Sequence, residues 1–192
     1  MPVKQRFEKR KSDFVSYTLF AFNESELKRL LDACNNLSDY IMILLASRYG
    51  FRREDVVSIK INDINLKDAT ITYYEHKKDK SRTIPIEPDV VIELKRYINT
   101  IPKDRSNLLA ITDGSSAWNH LQEICKVAGI PVPPGRKGRP FHSLRGTCVK
   151  MRQKQGWTTN EVAALIGDEP ETVSKHYATT SPSELAEKMK GK

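Results

Sequence analysis

His142 and Arg145 stand three apart in FHSLRGT, a spacing that puts both on one helical face once a helix has begun there. Arginine suits a phosphate, because its fork donates two parallel hydrogen bonds and its charge persists. Tyr177 closes the run LIGDEPETVSKHY, residues 165–177. A tyrosine hydroxyl, with an ordinary pKa of about 10, attacks phosphorus only with cations to hold the phenolate and a base to take its proton. A lysine in HKKDKSR, residues 76–82, could reach in from a hairpin tip and protonate a leaving oxygen. Together these groups could break a phosphodiester. They are spread over more than a hundred residues, and spacing alone does not assemble them. Taken singly, Tyr177 reads as packing on an amphipathic helix and His142 as a satisfied interior histidine. Lys77 reads as a solvated turn residue, and Arg52 as a surface residue at a helix start.

The chain around them has 192 residues, with 32 Lys and Arg against 24 Asp and Glu, a formal charge of +8 and a pI near 9.4. Such an excess favours a polyanionic partner, nucleic acid first. The basic residues gather at 4–11, 76–82, 135–139 and 150–154, each beside a turn or a helix start. A hydrophobic share of 39% and a charged share of 29% suit a globular domain with a very polar surface. The longest apolar run, YIMILLA at 40–46, falls well short of the roughly 20 residues of a membrane span. With no secretory-type N-terminus, a cytoplasmic location is expected. Cys34, Cys125 and Cys148 are isolated, and His76, His120, His142 and His176 lack ligand spacing. Neither a disulfide framework nor a bound metal is expected.

The elements that must position the reactive groups follow from periodicity and capping. Residues 1–21 read as a basic arm with interleaved aromatics. FNESELKRLLDAC starts a helix, with Asn23 as cap and Glu26 completing a capping box. SDYIMILLASRYG is apolar nearly all round, the mark of a buried central helix, and stops at Gly50. FRREDVVSIKINDI begins a short helix with Val56, Val57 and Ile59 inward. INLKD, ATITYYE and SRTIPI then favour strands, giving a small antiparallel sheet with a basic hairpin tip. DVVIELKRYINTI, SSAWNHLQEICKVAG, HSLRGTCVKMRQKQG and TTNEVAALIG are helical, and a last helix opens on another capping box, Asp168-x-x-Glu171. VPPGRKGRP is a rigid, charged loop. Trp118 and Trp157 read as core or interface residues. The expectation is one mainly α domain with a small antiparallel sheet (α+β), the sheet near its N-terminal third.

From about Phe22 to about Thr180 the chain resembles the catalytic domain of tyrosine recombinases, the phage-integrase and Xer family. RYGFRREDVVSIKINDI is similar to the family's first arginine box, which implies Arg52 as first catalytic arginine and Asp55 as its supporting acid. HKKDKSRTIPI resembles the family's hairpin, where Lys77 fits the catalytic lysine best and Lys78 and Lys80 are close rivals. FHSLRGT is similar to the His-x-x-Arg box and implies His142 and Arg145. VAALIGDEPETVSKHY resembles the leucine-glycine-histidine box with the tyrosine helix and implies Tyr177 as nucleophile. His-x-x-Arg alone is weak; the ordered set is specific.

One position departs. After the glycine the family places histidine or tryptophan, whose ring nitrogen helps hold the phosphate; here stands Asp168, an acceptor only. Three readings are open: an N-cap with the catalytic position vacated, a carboxylate that orients Arg52 or Arg145, or an inactive or weakened enzyme. His176 could supply a ring donor, but helix neighbours point apart. The resemblance implies metal- and cofactor-free cleavage of double-stranded DNA at a specific site through a 3′-phosphotyrosine. It also implies a homo-tetramer on paired sites, with a monomer in solution, and a prokaryotic mobile element, archaeal ones included, as source. Lys78, Lys80, Arg82, Arg136, Lys137 and Arg139 are the expected DNA-contacting cations, the glycines of GRKGR letting the backbone approach phosphates. Family members carry an N-terminal helical DNA-binding domain that 21 residues do not hold, so a catalytic fragment or a minimal recombinase is expected. Residues 181–192 are expected to form a tail or helix on a neighbouring protomer. A non-catalytic DNA-binding module and a type IB topoisomerase-like enzyme are the alternatives.

Overall fold

The structure, a computed structural model, describes residues 21–132 and 141–177, and near the C-terminus 186, 189 and 190. The arm, the GRKGR loop with Arg136, Lys137 and Arg139, and nearly all of the tail lie outside the described residues.

Helix α1 (Glu24–Asp32) starts as its sequence dictates: Asn23 accepts from the Glu26 N–H, and the Glu26 carboxylate accepts from the Asn23 N–H. Such a reciprocal cap is worth about 1 kcal/mol. Helix α2 (Leu37–Tyr49) runs through the core. Ile41, Met42, Ile43, Leu45 and Ala46 have no exposed surface, each large side chain contributing about 2 kcal/mol by burial. It ends at Gly50 in the left-handed region, φ 66°, which a side chain would enter only with strain.

Helix α3 (Arg53–Val57) is followed by a 3-10 turn at Ile61–Asp63 and an antiparallel sheet of order β1 (Ile64–Asn65), β2 (Thr70–Glu75), β3 (Lys80–Pro85). The register pairs Ile71 with Ile84, Tyr73 with Arg82 and Glu75 with Lys80, so that Ile71, Tyr73, Glu75 and Ile84 face inward. The strand expected at INLKD shrinks to two residues. The Asn65 side-chain oxygen accepts from the N–H groups of Lys67 and Asp68, a local turn that competes with the ladder.

Helices α4 (Pro88–Ile98), α5 (Gly114–Val127), α6 (His142–Lys154), α7 (Thr159–Ile166) and α8 (Pro170–Tyr177) complete the domain. α6 packs along α2, and α7 and α8 pack on each other and on α6. A large core extends from Phe22 to Leu144. A second, smaller one joins Cys148, Val149, Val162, Ala163, Ile166, Val173 and Tyr177. The two meet along α6, whose Arg152 forks onto Glu87 at 2.9 and 3.0 Å beneath the Trp157 ring. The architecture is the expected mainly α domain with a small sheet.

Candidate active site

Arg145, one turn into α6, is 1% exposed. Its Nη1 donates to the Ile166 carbonyl at 2.9 Å and to the Gly50 carbonyl, the C-terminal ends of α7 and α2. Both ends carry partial negative charge, which suits a buried cation. Its Nη2 donates to Asp168 Oδ2 at 2.7 Å. Burial alone would lower the Arg145 pKa, but charge on Tyr177, the Asp168 carboxylate and a hydrogen bond to the Tyr177 phenol hold it above its usual value. The arginine and the tyrosine expected as nucleophile are thus direct neighbours.

Arg52 enters from the extended residue before α3, its side chain only 12% exposed. It lies 3.3 Å from the same Asp168 oxygen and 3.7 Å from Asp55 Oδ2. Asp55 is buried, and its other oxygen accepts from the His76 N–H at 3.1 Å and lies 3.1 Å from His76 Nδ1. His76 opens the turn that displays Lys77, so one carboxylate fixes both the first arginine and the root of the lysine hairpin. Lys77 is exposed at that turn.

His142 begins α6, three residues before Arg145. Burial, reinforced by Arg145, Arg52 and Arg53 and partly offset by Asp168, pushes its pKa down to about 4. The ring is therefore neutral at pH 7, with one nitrogen able to accept a proton. Tyr177 ends α8, buried against the smaller core.

Asp168 does not cap α8. That helix begins at Pro170, with the Val173 N–H reaching the Glu169 carbonyl, because proline favours the first helical position and shifts the start by one. The Asp168 N–H closes α7 on the Ala163 carbonyl, and its carboxylate faces the two arginines. Burial would raise its pKa, but the Arg145 hydrogen bond and the charges of Arg145, Arg52 and Lys77 hold it below the usual carboxylate value.

Of the expected DNA-contacting cations on the hairpin, Lys80 is exposed and Lys78 lies 3.4 Å from Glu169. Arg82 is engaged within the protein: it donates to the Tyr73 hydroxyl at 2.9 Å and to the Ala164 carbonyl, 3.5 Å from the buried Glu75. It pins the hairpin to α7. The sequence does not mark Glu75, and it marks His76 only as a histidine without ligand spacing and Gly167 only as a helix stop in the glycine box. Their partners are 21 or more residues away in the case of His76 and Gly167, and no local pattern signals such contacts. Among the described residues no group of three or more His, Cys, Asp or Glu side chains could hold a metal ion.

A sequence model of the Phage integrase family matches residues 21–184, the stretch that holds Arg52, Lys77, His142, Arg145 and Tyr177. The chain belongs to the phage integrase family. Among its relatives in that family is the tyrosine recombinase XerA of Pyrococcus horikoshii, 24% identical over 176 residues, which span 87% of this chain and 59% of XerA. The chain thus spans well under two thirds of that relative. A crystal structure of XerA recombinase superposes with a TM-score of 0.74 at 22% identity, over 89% of this chain and 64% of that one. XerH site-specific recombinase, captured on palindromic difH substrate in a post-cleavage complex, superposes at 0.66 with 18% identity, over 88% and 52%. At such identities the structural likeness establishes the integrase-family fold.

Proposed function

We propose that residues 22–180 form the catalytic domain of a site-specific DNA recombinase that cleaves and rejoins double-stranded DNA through a 3′-phosphotyrosine. The observation that carries this reading is the placement of Tyr177 against Arg145, with Arg52 and His142 on the same locus. In the reaction, the Tyr177 oxygen attacks the scissile phosphorus and its proton passes to neutral His142. The bond to the 5′-oxygen breaks, and Lys77 protonates that oxygen to release a 5′-hydroxyl. Arg52 and Arg145 stabilise the charge developing on the non-bridging oxygens, a contribution of typically 10²–10³-fold per donor in comparable sites. The bond energy stays in the phosphotyrosine, so rejoining needs neither ATP nor metal. Asp55 positions Arg52 and the Lys77 hairpin.

The partner is double-stranded DNA, contacted by Lys78 and Lys80 and, outside the described residues, by Arg136, Lys137 and Arg139. The working form is a homo-tetramer on paired sites, formed from monomers and associated with DNA in the cytoplasm. No helix among the described residues is long and apolar enough to cross a membrane. A nicked suicide duplex spanning the attachment sequences beside the gene tests the chemistry. A denaturant-resistant protein–DNA adduct should form and vanish in Tyr177→Phe; absence of any wild-type adduct overturns the enzymatic reading. A second reading, a non-catalytic DNA-binding module, is favoured by the Asp168 carboxylate on both arginines, and duplex binding without adduct would select it. Strand exchange between two labelled sites separates a recombinase from a topoisomerase-like enzyme.

A further inference from the structure

A single carboxylate oxygen joins the two arginines. Asp168 Oδ2 accepts from Arg145 Nη2 at 2.7 Å and from Arg52 Nη2 at 3.3 Å. An acceptor shared between two guanidinium groups from separate elements is the arrangement that a non-bridging phosphate oxygen would require. Arg145 Nη1 is committed to the Gly50 and Ile166 carbonyls. The Asp168 side chain is 11% exposed, so its charge is little screened. The next residue, Glu169, faces Lys78 on the hairpin at 3.4 Å. Two successive carboxylates at the entry to α8 therefore answer cations that the proposed reaction assigns to DNA.

We propose that Asp168 is a resident anion in the phosphate seat: its carboxylate holds Arg52 and Arg145 together without DNA, and a backbone phosphate binds there only by displacing it. The inference rests on the reading of these arginines as a phosphate clamp. A carboxylate and a phosphate oxygen are both acceptors with negative charge, so the two repel in one seat. Displacement is open to the chain because Asp168 lies outside both helices, directly after Gly167 at φ 70°. When Asp168 leaves, the start of α8 loses its tie to the arginines. The exchange thus also loosens the helix that carries the buried Tyr177. Asp168 is a positioning residue whose effect reaches DNA through the arginines.

The test uses inorganic phosphate, then a short duplex, on the whole chain with Asp168→Asn, which keeps the shape and removes the charge, and with Asp168→His. Either variant should bind phosphate about tenfold more tightly than the wild type, read as a larger ligand-induced rise in Tm. Duplex affinity should rise, and the slope of log K against log salt should steepen by about 1, as for one more neutralised phosphate. Arg52→Gln added to Asp168→Asn should abolish the gain. If both variants fold and neither gains phosphate affinity, the proposal is overturned; a lower Tm alone indicates a merely structural role. If neither variant folds, hydrogen exchange of the wild type decides. The α8 amides should lose protection when duplex binds, and unchanged protection overturns the proposal. A gain in phosphate affinity without any wild-type adduct would preserve the seat and sink the recombinase reading. An adduct without that gain would do the reverse.

Discussion

His142 is kept neutral by its surroundings, and this leaves a measurable trace in stability. Its folded pKa of about 4 lies below the ordinary 6.5. The unfolded chain therefore binds the extra proton first as pH falls. Any stability linked to this ring is complete above pH 6.5 and drains away between 6.5 and 4, by at most about 3.5 kcal/mol at about 1.4 kcal/mol per pH unit. His142→Gln should flatten that part of the pH–stability curve measured by urea unfolding; an unchanged slope would show that folding leaves the ring's pKa where it is in the unfolded chain. Lowered basicity does not remove the acceptor: the neutral ring takes a proton only transiently, as a base in the proposed cleavage must. At this scale single residue types are weak guides, Tyr177 alone reading as packing; only the ordered set singles out Arg145 and Tyr177, which the fold makes neighbours. At Asp168 the sequence leaves three readings open, and the structure sets aside the capping pattern Asp-x-x-Glu for the carboxylate that meets Arg145, 23 residues back. Charge-assisted bonds to a buried guanidinium outweigh a solvent-facing cap.

Between elements, the site depends on close approach of the hairpin to the α7–α8 turn. Gly167 is left-handed, and a Cβ there would collide with the Glu75 carboxylate and lie 2.5 Å from Arg82 Nη1. Gly156 is also left-handed, at φ 89°, but has open space around it. Gly156→Ala should cost about 1 kcal/mol of backbone strain, and Gly167→Ala about 2–4 kcal/mol, as steric displacement adds to strain. Thermal unfolding of the two variants checks this, and equal losses would deny the contact its role. Asp55 couples two elements in the same manner. Asp55→Asn should reduce adduct formation about 10–100-fold, in line with other groups that orient reacting side chains. Loss of Tm without loss of adduct rate in the folded fraction would count against it. Helices were legible because capping boxes and left-handed glycines are local signals, as at Asn23, Thr158 and Gly50. β1 was overestimated because the Asn65 turn competes with pairing. The Asp55–His76 link was invisible, joining residues 21 apart.

Across the whole molecule, a formal charge of +8 predicts DNA binding that weakens steeply with salt. Alanine at Lys77, Lys78 or Lys80 should each lower the salt slope by up to about 1. Arg82→Ala should act mainly through stability, since its donors are taken up inside the protein; a full unit of slope lost at Arg82 would show that it reaches phosphate. The mainly α architecture was readable from periodicity, yet the division into two cores was not, because α6 contributes to both and its sequence does not show where one ends. That sharing has a practical outcome for protein engineering. The Arg145 guanidinium, a reagent in the proposed cleavage, is also a strut that spans the ends of α2 and α7 from its place on α6. Grafting the His-x-x-Arg segment alone into another scaffold would carry the reagent without the two carbonyls that aim it. The smallest transplantable cassette is the three-helix joint, and a swap made on shorter motif boundaries should yield a folded graft with a wandering arginine.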